Sequence, residues 1–236
     1  MEQFLSRFTL SFLMAQLFPG AVAVLSCTCP YAAKLEPRPA TMLALFTSVG
    51  DLWFGSFRNT VIFLFLSGAA GLLIHGISWS VMAWLENHDP SSPPVAKSVR
   101  ESFWHDKRII FQVVLAPVKM VLELLGALSA PKLEVLRMEE NVSGIRPEDK
   151  PAFDFLEDFY LYFAEFYAHT AYALLFGFPF VFWTWVVLGF TPRRAALLVL
   201  FYLGAGVFFL IGRVQYITLF NAEVTLVERA QRPTSP

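Results

Sequence analysis

The sequence predicts an all-α integral membrane protein with four transmembrane helices, a fifth as the alternative, and interfacial amphipathic helices beside them. Three observations predict it. Of 236 residues, 56% are hydrophobic and only 16% are charged, with a mean hydropathy of +0.54; a soluble domain carries about a quarter charged residues. Four apolar stretches, 8–29, 60–85, 168–190 and 195–212, have the length needed to cross a hydrocarbon core roughly 30 Å thick. Between the second and third lies a middle region, 86–167, whose apolar residues recur at helical spacing.

The totals also exclude. A net charge of −1 leaves no basic field to attract nucleic acid. Cys27 and Cys29 form a lone C-x-C, too few for a zinc site and too close for an ordinary disulfide framework. A lipidation site, a redox pair and no role at all remain open for them. No cofactor is expected.

The first span, 8–29, is broken by Gln16 and by Pro19, which predicts a kink. A cleaved signal ending near Ser26-Cys27 is the alternative, disfavoured by a weakly basic start and by Leu25. Residues 41–57 read as an interfacial helix, with Met42, Phe46, Val49, Trp53 and Phe57 on one face and Asp51 opposite. The second span, 60–85, has His75 as its only ionisable group, and Gly68, Gly71 and Gly76 form a small-residue face for helix packing.

A turn-rich linker from Glu86 to Pro94 and a polar stretch to Lys107 follow. Ile109 to Leu128 is amphipathic, with Gln112, Lys119 and Glu123 in a narrow stripe and Pro117 as a kink. It is read as interfacial or packed on the bundle; crossing as a fifth span is the alternative, since a Lys-Glu pair one turn apart can be accommodated inside a bundle. Residues 131–150 are the most soluble part and include an Asn141-Val142-Ser143 sequon. A helix opening near Pro151 can run on to Phe190, bent at Gly177 and Pro179. The last span, 195–212, carries Gly204 and Gly206 on one face and ends at Arg213, leaving a polar tail from 221 to 236.

The most informative stretch is Asp154 to Tyr172. In helical register Asp154, Asp158, Tyr162, Glu165, His169 and Tyr172 fall within an arc of about 80°. The rest of that cylinder is aromatic. A polar stripe of three carboxylates and one imidazole therefore leads into a bilayer.

Two kinds of chemistry fit the stripe. Asp158, Glu165 and His169 could ligate a metal, but the single Glu-x-x-x-His falls short of a di-iron pattern and four histidines cannot fill desaturase boxes. Alternatively His75, Glu165 and His169 could face one another and form a proton or ion path. Glu139-Glu140 lacks the arginine of the CAAX-type protease motif, and no nucleophile elbow, zincin motif or phosphate loop occurs.

The expectation is a non-enzymatic multi-pass subunit, a scaffold, sensor or effector that self-associates through its glycine faces and docks a soluble cytoplasmic partner. A bacterial stress or phage-defence module is the setting it suggests. A channel or proton-coupled transporter and a membrane metalloenzyme are the alternatives. With both termini and the middle region cytoplasmic in a bacterial inner membrane, 13 basic residues lie inside and five outside.

Overall fold

The computed structural model describes residues 12–36, 38–88, 109–129, 145–156 and 161–231. The linker beyond His88, the polar stretch to Lys107, the Asn141 sequon and Asp158 lie outside the described residues. Among the described residues there are only helices: α1 (Phe18–Ala32), preceded by a π-helical Phe12–Leu17, α2 (Met42–Phe54), α3 (Phe57–His88), α4 (Ile109–Ser129), α5 (Lys150–Leu156), α6 (Tyr162–Leu188) and α7 (Pro192–Gln231).

Among the described residues, five helices are long and apolar enough to cross a membrane: Leu13–Ala32, Phe57–Leu85, Ile110–Ser129, Tyr162–Leu188 and Pro192–Leu219. The protein is an all-α, multi-pass membrane protein. Three boundaries differ from the sequence reading. The irregularity near Pro19 precedes it, as the π-helical stretch, and Pro19 itself sits in the first turn of α1, where its ring is tolerated but its missing N–H leaves the Ala15 carbonyl without a helical donor. The third span begins at Tyr162, which brings Glu165 inside it. The last helix does not end at Arg213 but continues to Gln231, because that arginine finds a carboxylate partner within the bundle.

The helices have definite directions. His75 and Trp79 on α3 meet His169 and Glu165 on α6, so these two run antiparallel. Phe178 packs on Tyr202 while Gly212 sits against Ala164 and Ala168, so α6 and α7 are also antiparallel. In α1, Phe18 meets Phe166 and Ser26 meets Gly177, which makes α1 parallel to α6. The Tyr202 hydroxyl donates to the Val114 carbonyl at 2.8 Å, and Arg213 pairs with Glu123, so α4 runs parallel to α7. One end of the bundle holds the 33–41 and 189–191 loops; call it the loop end. At the other, the terminal end, α1 begins and α7 finishes.

Glycines set the closest approaches. A Cβ on Gly20 would strike the Ser67 carbonyl, one on Gly71 the Gln16 carbonyl, and one on Gly206 the Val113 carbonyl. Small residues let the backbones of α1 and α3, and of α4 and α7, touch without a hydrophobic driving force. Gly71 and Gly206 therefore pack helices within the chain. Gly204 makes only ordinary contact with Leu174, Gly76 faces open space and Gly68 is half-buried.

Near the loop end, α2 is capped by the Thr41 hydroxyl, which accepts from the Ala44 N–H at 3.1 Å. It packs through Leu45 and Val49 against Ala32, Trp185 and Leu198. Phe46 and Phe57, both on the face read as apolar, are exposed, and Phe57 opens α3 rather than ending α2. The α2 residue Trp53 donates its indole N–H to the Thr28 hydroxyl at 3.3 Å and so anchors the helix to α1.

Candidate functional site

A buried polar cluster sits where α1, α3 and α6 meet, in the half of the bundle nearer the terminal end. Its first member is set by a proline. In a regular helix the Ala15 carbonyl would accept from the N–H of residue 19, but Pro19 has none. The Nδ1 of His169, a residue with no exposed surface, supplies the missing donor to that carbonyl. A carbonyl only accepts, so Nδ1 carries the hydrogen and Nε2 is left as the acceptor of the neutral ring. Nε2 is buried and has no hydrogen-bond partner among the described residues.

One turn before His169, Glu165 accepts a hydrogen bond from the Trp79 indole at 3.0 Å. His75, one turn before Trp79 on α3, places its Nδ1 3.8 Å from the same carboxylate. Its ring meets that of His169 edge-on, with centroids 5.1 Å apart. The side chain of Glu165 is 14% exposed and that of His75 30%. Ionisable groups at this depth are costly unless paired or wet.

A cavity of about 30 Å³ opens beside them, lined by Trp79, Glu165, His169, Tyr172 and Arg213 among others. That is room for water, which needs roughly 10–15 Å³ and two or more polar partners. The Tyr172 hydroxyl is buried and unpartnered among the described residues. Across the cavity, Arg213 pairs with Glu123, lies over the Phe209 ring at 5.0 Å, and is followed by Lys119, 3.8 Å from Glu123. Glu165, His169, Tyr172 and Arg213 thus border one small, mostly apolar cavity, with His75 beside Glu165 and the Glu123–Lys119 pair beyond Arg213.

The structure brings together three members of the sequence stripe, Glu165, His169 and Tyr172, with His75 of another helix. It does not bring in Asp154, which is exposed on α5. Tyr162 begins α6 and is half-buried, and Asp158 lies outside the described residues. Among the described residues no three His, Cys, Asp or Glu side chains converge to hold a metal ion. Cys27 is exposed and Cys29 buried on α1, where the Cys29 thiol donates to the Leu25 carbonyl at 3.3 Å.

Sequence reasoning missed three participants. Trp79 carries no local signal beyond the preference of an indole for the membrane interface. Arg213 reads from sequence as a helix end. The Ala15 carbonyl carried a readable signal: a proline four residues on, inside an apolar helix, leaves an acceptor that some other element must satisfy.

These features define a helical membrane bundle with an ionisable cluster in its interior. Comparison with protein-family models, with curated proteins and with solved structures finds no match to this chain.

Proposed function

We propose that this protein moves protons, as a channel or proton-coupled transporter whose path runs through His75, Glu165 and His169. The observation that carries the reading is their convergence: the His75 nitrogen 3.8 Å from the Glu165 carboxylate, with the His169 ring against His75. A carboxylate and two imidazoles are side chains able to hold and pass a proton, and the adjoining cavity has room for a bridging water. His169 is oriented by its backbone bond, so its free Nε2 is the proton-accepting atom. Trp79 fixes the carboxylate without titrating. A bacterial inner membrane with cytoplasmic termini is the setting proposed.

The test is proton flux into liposomes loaded with a pH-sensitive dye. Glu165→Gln is expected to lower flux by tenfold or more, and replacing all three residues to abolish it. Flux that survives the triple replacement in folded protein ends the proposal.

A second reading, a scaffold that docks a soluble partner, is favoured by one observation. Helix α7 has 40 residues, about 60 Å at 1.5 Å per residue, twice the roughly 30 Å core. Its far part runs past Leu219, where Leu226 is buried, and α5, whose Phe153 is buried, is in contact with α7. This is a built platform beyond the span. For self-association, Gly76 is the exposed small residue on which a second copy could pack. Chemical cross-linking in native membranes that captures neither a second copy nor a soluble protein would sink this reading.

A further inference from the structure

We infer that the 33–41 and 189–191 loops share one membrane face and residues 145–156 lie on the other, so that the chain crosses an even number of times between the two loops although three described helices between them have the length and apolarity to cross. The parity of the loops carries this. Arg194, just after the 189–191 loop, donates from Nη2 to the Ala40 carbonyl of the 33–41 loop at 3.2 Å. The same guanidinium donates to the Leu188 and Gly189 carbonyls, which fixes both loops to one end. Trp185, three residues before the end of α6, lies in one apolar cluster with Ala32, Ala33 and Leu45.

A chain that leaves a membrane face and returns to it has crossed an even number of times. Three apolar helices lie between these two loops: α3, α4 and α6. The antiparallel pair α3 and α6 supplies one passage to the terminal face and one back, through the contacts of His75 with His169 and of Trp79 with Glu165. Helix α4 is the odd one. It runs alongside α7 from Val114 at Tyr202 to Glu123 at Arg213, and so points toward the terminal face, as α3 does before it. Two consecutive helices that point the same way are not alternate crossings.

Residues 89–108 lie outside the described residues, but the ends they join are described. Helix α3 finishes at the terminal end and α4 starts nearer the loop end.

The topology holds whether or not the His75–Glu165–His169 cluster conducts.

Single cysteines test it. In a background with Cys27 and Cys29 replaced by alanine, Glu36→Cys, Glu148→Cys and Arg193→Cys are labelled with a membrane-impermeant maleimide in intact cells and in inverted vesicles. The expected result is that positions 36 and 193 label from one face and position 148 from the other. Positions 36 and 148 labelling together, with 193 opposite, would mean five alternating crossings and overturn the inference. Trypsin added to sealed vesicles gives the same readout on the native chain. Cleavage at Lys34 or Arg38 and at Arg193 from one face, with cleavage at Arg146 or Lys150 from the other, supports the inference. Cleavage at Lys34 and Lys150 from the same face refutes it.

Discussion

Arg213 of α7 and Glu123 of α4 form an ion pair inside the bundle, with the two side chains 21% and 7% exposed. Their sequence positions lie 90 apart, and the bond is what carries the helical course of α7 past a charged residue. Removing one partner strands the other in a medium that solvates it poorly, whereas replacing both by apolar groups removes the need for the bond. Glu123→Ala is therefore expected to cost about 2–4 kcal/mol, the lower part of the range reflecting the partial exposure of Arg213. Glu123→Leu with Arg213→Met should restore most of it. Unfolding in detergent micelles, followed by circular dichroism, checks both; a double variant no better than Glu123→Ala would show that the pair does more than neutralise.

Gly71 and Gly76 lie five residues apart on α3 with opposite surroundings. A Cβ on Gly71 would meet the Gln16 backbone, while one on Gly76 would meet nothing within 4 Å. Gly71→Val is expected to destabilise by roughly 1–3 kcal/mol through overpacking that backbone cannot relieve. Gly76→Ala should be neutral or slightly favourable in the isolated chain, since alanine is the better helix former. Comparable losses at both positions would place a second surface against Gly76.

Pro19 and His169 are coupled through the Ala15 carbonyl. His169→Leu in the native chain leaves that carbonyl without its donor, which costs about 1–3 kcal/mol for a buried polar group. Pro19→Ala restores an N–H one helical turn along, so the same His169→Leu change should cost less in that background. A double-mutant cycle by thermal unfolding measures the difference. Additive losses would mean that the N–H of residue 19 does not reach the carbonyl.

Gly189 closes α6 with φ +82 and ψ 146, a region open to glycine and closed to residues with a Cβ. Gly189→Ala is expected to cost about 1–3 kcal/mol. Arg194→Ala should also loosen this end, because its guanidinium holds the last carbonyls of α6 and the Ala40 carbonyl. Hydrogen exchange at the 33–41 loop should rise in Arg194→Ala while exchange around His169 stays unchanged.

Much of the fold was legible in the chain because burial in lipid imposes a coarse rule that composition obeys. The spans at 60–85 and 168–190 follow from apolar length, and Glu165 and His169 share a face by their four-residue step. The site was less legible. His75 and Glu165 are 90 residues apart, and nothing local says that α3 and α6 run antiparallel in the register that joins them. Trp79 was indistinguishable from an interfacial anchor, since an indole prefers that depth wherever its N–H ends up.

The sequence alone therefore determined the solvent this protein needs, its helical class and the stripe that faces inward, because each depends on short-range periodicity and transfer energy. The tertiary structure decided which carbonyl His169 satisfies, which carboxylate Arg213 neutralises and which way α4 points. Those depend on close approach between backbones distant in the chain, permitted where Gly20, Gly71 and Gly206 lack a Cβ, and on the requirement that a buried polar group find a partner wherever one is in reach.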